Sequence, residues 1–391
     1  MVYLKNPVVD IYNLSELVSS ILVFIISFFI IFKTGKSLKL NENEIILIFC
    51  WHSFMAFIFM INDLYGGHDG SAWYNRAHIN ENFYFGNGFM YSFSSVLKSL
   101  QVKYVAQNLI YNLLGTLTAL IFYSKIKELC SYKPNKKLFF ISSLIIFLPG
   151  LMFWSSGISK DSISFFAFAA LYYSVNGKFN IYLFLFSILL ILASRPFLLP
   201  FFCAGSYLYF FLNVFFNKNV TFPKKIFDFI ILILMFYPLI IMTNFGLVYL
   251  GHVDGLQYDA TEIFQIVKNY LDSSRYWYAN TTFGIPSDTI FWKKYLYFLY
   301  MPLTTTRITS VITYFVLENI FLLFVTIIII KEFKFNLKGI DKLTLSYYLS
   351  ILVLFLFVPL LFSNYGIALR YKWFVIPYFL LAFLDLRKKI K

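Results

Sequence analysis

Stretches such as "ILVFIISFFIIF" at 21–32 and "IILIFCWHSFMAFIFMI" at 45–61 fix the solvent in which this chain folds. Apolar runs of about 17 to 22 residues recur along the sequence. At 1.5 Å per helical residue, each can cross a hydrocarbon core of about 30 Å. The sequence predicts spans at 15–32, 45–62, 106–124, 138–154, 162–176, 181–194, 198–216, 226–247, 311–330, 343–362 and 373–386. That makes an all-α, polytopic membrane helix bundle of about eleven transmembrane helices. Composition agrees, since 60% hydrophobic and 13% charged residues over 391 positions exclude a soluble domain. The first run has polar and acidic residues before it and no basic n-region or small-residue cleavage site, so it reads as a retained helix.

The formal charge of +14 would raise nucleic-acid binding in a soluble protein, but here it reports orientation. Of 33 Lys and Arg, 20 fall in the loops 33–44, 125–137, 177–180, 217–225, 331–342 and the tail 387–391. Basic residues near span ends are retained in the cytoplasm. The N-terminus and two large loops, about 63–105 and 248–310, are therefore expected on the periplasmic side of a bacterial inner membrane, and the C-terminus inside. No repeat, linker or low-complexity segment divides the chain, so 1–391 reads as one integral-membrane domain.

Within the second outer loop, Asp259 and Glu262 open a segment with helical apolar spacing, and "SDTIFWKKYLYFLYMP" from Ser287 to Pro302 makes a second amphipathic candidate. Cys50, Cys130 and Cys203 have no metal-ligand spacing and suggest neither a disulfide framework nor a zinc site. "TGKS" at 34–37 lacks the upstream glycine of a phosphate-binding loop, because Ile30 stands there.

The polar residues that could carry chemistry gather at the outer span ends. The first outer loop, "NDLYGGHDGSAWYNRAHI", holds Asp63, His68, Asp69 and Tyr74. Gly66, Gly67 and Gly70 let the backbone bend around His68 and Asp69. Ser71 can begin a helix with Trp73 and Ala77 on one face. Asp69 at that position is either an N-cap or a base facing a cleft. "SSGISKD" forms a tight external turn bringing Lys160 and Asp161 to an outward-facing polar rim, and Arg195, Arg307 and Arg370 also sit at outer ends. Arg and Lys there can bind the phosphate oxygens of a lipid diphosphate or simply snorkel to lipid phosphates. For Lys160 and Asp161 a local ion pair or helix cap is an equal alternative to ligand contact.

The loop "GGHDGSAWYNRA", the segment "LPGLMFWSSGISKDSISFFAFAALYY" and the late "NYGIALRYKWFVIPYFLL" together resemble the Wzy-type O-antigen or capsule repeat-unit polymerases. More distantly they are similar to multi-pass glycosyltransferases of the GT-C type. The resemblance implies transfer of a growing glycan from one undecaprenyl diphosphate carrier to another lipid-linked repeat. In that reaction Asp69 serves as base with His68 as its competitor. Arg195, Arg370, Lys160 and Arg307 bind the diphosphate, and Asp161, Tyr74 and Asp63 support them. The activated glycosyl diphosphate supplies the energy, so no cofactor, nucleotide or metal is implied. Expected partners are undecaprenyl-diphosphate-linked glycans, membrane lipids, a chain-length regulator and a flippase, and not nucleic acid. The alternatives are a GT-C transferase using a polyprenyl-phosphate sugar, a lipid-linked oligosaccharide flippase or transporter, and a structural membrane subunit.

Overall fold

Hydrocarbon offers no partner for a backbone N–H or C=O, so a chain with these apolar runs must close its hydrogen bonds within helices. The computed structural model describes residues 13–65, 69–77, 85–132, 135–216, 221–249, 290–301, 310–332, 340–361 and 365–388. Among them it is helical, with no strand. The helices are α1 (Leu14–Ser37), α2 (Glu42–Leu64), α3 (Gly70–Arg76), α4 (Asn87–Ser99), α5 (Tyr104–Ser131), α6 (Lys136–Ile146), α7 (Pro149–Trp154), α8 (Lys160–Val175) and α9 (Ile181–Ser194). After a short 3-10 turn at Pro196–Leu198 come α10 (Leu199–Phe216), α11 (Phe222–Tyr249), α12 (Phe291–Tyr300), α13 (Ser310–Glu332) and α14 (Lys342–Leu361). The chain closes with α15 (Tyr365–Tyr371), a 3-10 turn at Lys372–Phe374 and α16 (Ile376–Lys388).

Each predicted span coincides with one of these helices or with a helix pair. Seven stretches among the described residues are long and apolar enough to cross a membrane: Leu14–Ser37, Glu42–Leu64, Tyr104–Ser131, Lys136–Trp154, Pro196–Phe215, Lys342–Pro359 and Gly366–Arg387. The fourth is broken between α6 and α7, where Pro149 takes the first helical position of α7 and needs no amide partner.

The chain packs as two compact units, one comprising Met1–Ser174 with Asn180–Arg195 and the other Val175–Phe179 with Pro196–Lys391. No linker or shift of composition marks the division. In the first unit α5 lies against α1 and α2. Its start is capped by Glu16, whose Oε1 accepts the Val105 N–H at 2.5 Å, so a buried carboxylate meets the positive end of the helix. At the other end of α5, Lys127 donates to both oxygens of Glu44 in the first turn of α2, at 2.8 and 2.7 Å.

The segment between α2 and α5 is itself structured. Besides the helix expected from Ser71 onward, it contains α4, which was not expected. Phe89, Met90, Phe93 and Leu97 lie at helical spacing on it, and Met90 and Leu97 are buried.

In the second unit α10 packs against α11 and α14. Gly205 makes the contact with α14 close, since a Cβ there would stand 2.2 Å from Ser350 Cα. Ser346 donates to Ser206 at 3.0 Å beside it, the small-residue packing expected between membrane helices. The amphipathic segment around 291–300 is helical as α12. It lies across α13, α14 and α15, with Tyr295 donating to the Leu356 carbonyl at 2.7 Å and Tyr300 to Thr326 Oγ1 at 2.9 Å. The expected helix at 259–271 and the start of the second at Ser287 lie outside the described residues.

Candidate functional site

One end of the first unit collects most of its unusual polar groups. The end of α2, the helix α3, the starts of α4, α5 and α8, and the end of α9 all meet there. Trp73, Tyr74, Met90, Tyr104, Tyr111, Ile158 and Ile163 form the apolar wall.

Asp63, in the last turn of α2, is fully buried. Its Oδ2 accepts the Tyr104 hydroxyl at 2.7 Å, and its Oδ1 lies 3.4 Å from Ser71 Oγ. The backbone N–H groups of Gly70 and Ser71 also donate to this carboxylate. Gly70 is required for that approach, because a Cβ on it would lie 2.7 Å from Asp63 Oδ2 and 2.8 Å from the Ile158 carbonyl. A carboxylate saturated this way is a clasp, holding α3 to the end of α2 and the beginning of α5.

Asp69 occupies the position before α3, the helix entrance that both sequence alternatives assume, but its carboxylate does not cap the helix. Its side chain is exposed and makes no cap hydrogen bond, while its carbonyl accepts the Trp73 N–H at 2.9 Å. It is therefore available to solvent or ligand. Tyr74 is buried, edge-on to Tyr104 at 5.4 Å, with Lys98 Nζ 4.2 Å above its ring centroid. His68 lies outside the described residues, as does Arg307.

The turn 155–159 is a turn as expected, but it is not exposed. Ser155, Ser156, Ile158 and Ser159 are all buried, and the Ile158 N–H donates to Asn108 Oδ1 on α5 at 3.2 Å. The turn's hydroxyls have partners inside the protein: Ser156 donates to the Phe153 carbonyl at 2.9 Å, and Ser159 is joined at 2.9 Å to Ser162 of α8. Only after this turn does the chain turn outward. Lys160 is half-buried, donates to Asn87 Oδ1 at 2.9 Å, and lies 5.9 Å from the Trp73 ring centroid.

Asp161 points the other way and forms a buried ion pair with Arg195 at the end of α9. Each charge sits at the helix end whose dipole it complements, the anion in the first turn of α8 and the cation after the last turn of α9. The dipeptide therefore faces two ways: Asp161 pairs with Arg195, 34 positions along the chain, and Lys160 makes a polar contact to α4. Arg195, expected at the outer rim as a phosphate ligand, is 7% exposed and engaged with Asp161.

Two polar clusters were not anticipated. In the first unit His52 is fully buried midway along α2, with Nδ1 2.5 Å from Asn112 Oδ1 and Nε2 2.9 Å from Ser155 Oγ. Asn112 Nδ2 in turn donates to Ser53 Oγ at 3.0 Å. A ring donating from Nδ1 to Asn112 accepts the Ser155 hydroxyl at Nε2, so one proton on the ring satisfies both contacts. The arrangement has the order of a nucleophile, base and orienting group, but all three side chains are sealed, which makes it a lock between α2, α5 and the turn. Tyr104, Asn108 and Asn112, four residues apart on α5, were the sequence signal for this polar stripe.

In the second unit Lys372 is fully buried, with Nζ 2.5 Å from Asn319 Oδ1, 3.3 Å from Glu318 Oε1 and 5.2 Å from the Trp373 ring centroid. Glu318 and Asn319 interrupt the apolar run of α13. Ionisable groups inside a span are costly and are kept where they pair or function. Arg370 also belongs to this unit and is half-buried, its Nε donating to the Gly366 carbonyl at 3.2 Å. Among the described residues no group of three His, Cys, Asp or Glu could hold a metal ion.

The chain matches no protein-family model, no curated protein and no solved structure.

Proposed function

We propose that this chain is a glycosyltransferase of the bacterial inner membrane that polymerises lipid-linked oligosaccharide repeats into O-antigen or capsular polysaccharide. In this reading eleven helices span the membrane. The N-terminus and the loops 63–105 and 248–310 are periplasmic, and the C-terminus is cytoplasmic.

The observation that carries it is the end of the first unit where Asp63, Tyr104, Lys160, Asp161 and Arg195 are fixed by mutual contacts while Asp69 stays exposed beside them. That end lies away from the loops rich in Lys and Arg, the side expected for a periplasmic reaction. The resemblance of "GGHDGSAWYNRA" and "NYGIALRYKWF" to the polymerases supplies the substrate class.

Chemically, a hydroxyl of the acceptor repeat attacks the anomeric carbon of the donor glycan. The bond from that carbon to the diphosphate oxygen breaks, and undecaprenyl diphosphate departs. Asp69 takes the proton of the attacking hydroxyl, with His68 as the competing base. Lys160 offsets the charge growing on the diphosphate, the role that the resemblance also gives to Arg307 and Arg370. Arg195 contributes through Asp161, keeping the start of α8 and hence Lys160 in place. The undecaprenyl-linked glycans, a flippase and a chain-length regulator are the partners this role requires.

The test is a surface-polysaccharide gel from a deletion strain complemented by the wild type and by Asp69→Asn. A single repeat on the acceptor in the deletion, with the ladder restored by wild type and not by Asp69→Asn, supports the reading. Loss of even the first repeat puts the protein at an earlier step, flipping or single-sugar transfer, and overturns it. A ladder from Asp69→Asn overturns the role of that carboxylate.

A further inference from the structure

The end of the first unit remote from Asp69 holds a second polar feature. A cavity of about 560 Å³ opens there between the turn after α1, the end of α5 and the end of α8. That volume lies within the usual range for small-molecule sites, about 300–1,000 Å³. Ser124 in its wall is about 30 Å along α5 from Tyr104, so the cavity is separate from the cluster around Asp63.

The wall carries three cations, Lys39, Lys125 and Lys127, against one carboxylate, Glu128. Among the described residues Leu38 is the one aliphatic side chain in it, serine and tyrosine supplying the rest. Such a space suits a hydrophilic group and not an acyl chain. The charges around it do not cancel. Lys127 is matched by both oxygens of Glu44, and Lys125 by Glu128 at 2.9 Å, with its ammonium 5.5 Å from the Tyr173 ring centroid. Lys39 is left over. Among the described residues its ammonium has no hydrogen-bond or ion-pair partner, and neither has the Tyr173 hydroxyl in the same wall.

Glycine would serve the backbone better at this position. The Leu40 N–H donates to the Gly35 carbonyl and the Lys39 N–H to the Lys36 carbonyl, each at 3.0 Å, closing α1 with Lys39 in the left-handed conformation at φ 60°. Ser124 donates to the Leu38 carbonyl at 2.9 Å and holds this turn against α5. Gln101 closes α4 in the same way at φ 62° but does not line the cavity, so the conformation alone is not the signal. What is particular to Lys39 is an uncompensated ammonium in the wall of a hydroxyl-lined cavity.

We propose that this cavity binds a phosphate group, with the Lys39 ammonium and the Tyr173 hydroxyl donating to its oxygens. The loops 33–44 and 125–137 at this end are expected in the cytoplasm. A phosphate there comes from an anionic lipid headgroup at the membrane surface or from a soluble phosphate ester. Its binding is independent of the glycosyl transfer proposed at the other end of the unit.

The experiment titrates purified full-length protein in detergent with glycerol 1-phosphate by calorimetry, and with phosphatidylglycerol against phosphatidylcholine by native mass spectrometry. Wild type is compared with Lys39→Gln, Lys39→Gly and two controls, Lys33→Gln on the same helix but outside the wall, and Gln101→Gly. The expected result is saturable binding of one glycerol phosphate or one phosphatidylglycerol per chain, weakened at least fivefold in both Lys39 variants and unchanged in both controls. Binding of glycerol phosphate assigns the site to a soluble ester, and binding of phosphatidylglycerol alone assigns it to a lipid headgroup. Lys39→Gly should melt at or above the wild-type temperature, so that its lost binding is not lost folding. No saturable binding of either probe, wild-type affinity in Lys39→Gln, or an equal loss in Lys33→Gln would overturn the proposal.

Discussion

Replacing Asp161 by Asn leaves the Arg195 guanidinium inside the first unit without its counter-charge. The side chains are 3% and 9% exposed, so water cannot take over the role of the carboxylate. Breaking a buried pair from one side costs about 3–5 kcal/mol, most of it the penalty of the stranded charge. For a unit of roughly 150–250 residues that corresponds to a fall in Tm of about 6–20 °C, at about 2–4 °C per kcal/mol. The double variant Asp161→Leu/Arg195→Met removes both charges and should recover most of the loss, because an apolar replacement of a buried pair is close to neutral. The assay is thermal stability of purified, detergent-solubilised protein by fluorescence-detected size exclusion, with a polysaccharide gel on the same variants. The expected pattern is an unstable single variant and a stable double variant. If Asp161→Asn melts within about 2 °C of wild type, or if the double variant is no better than the single, Arg195 and Asp161 do not depend on one another and the argument is wrong. A stable double variant that still fails to polymerise would show that Arg195 or Asp161 also acts on the substrate.

Tyr104→Phe removes a hydrogen bond to a buried carboxylate and should cost about 1.5–3 kcal/mol. It should also raise amide exchange in Gly70–Arg76, where unchanged exchange would show that Asp63 does not clasp α3. Gly205→Ala places a methyl group against the backbone of α14 and should cost about 1–3 kcal/mol by overpacking, with a wild-type Tm as the contrary result. Glu318→Gln should destabilise the second unit by about 3–5 kcal/mol by stranding Lys372, and Glu318→Gln/Lys372→Met should regain much of it. Equal stability of all three proteins would argue against that pair.

The membrane helices were readable because burial in hydrocarbon writes itself into every residue of a run, and the helices α1, α2, α5, α10 and α14 fall where the apolar stretches do. Pattern also marked α3 through Gly70 and Ser71. The roles within the candidate site were less readable, since they depend on partners far along the chain. Asp63 and Asp69 look alike in "NDLYGGHDG". Asp63 becomes buried because Tyr104, 41 positions later, donates to it. The serines of "SSGISKD" suggested a wet rim, yet Ser155 meets His52, Ser156 donates to the Phe153 carbonyl and Ser159 meets Ser162, which lets the turn sit inside the unit. Glu318 and Lys372 are 54 positions apart in the sequence, and neither signals the other. A stricter reading of isolated polar residues within spans, such as His52, Asn112 and Glu318, would have singled these positions out, because hydrocarbon tolerates them only when paired.

The central claim is tested most directly by reconstituting the purified chain in proteoliposomes with undecaprenyl-diphosphate-linked repeat units as the only glycan substrate, and no nucleotide sugar. The account predicts a ladder of products spaced by one repeat unit, with release of undecaprenyl diphosphate. No elongation from repeat units, or addition of one sugar only when a polyprenyl monophosphate donor is supplied, would contradict it.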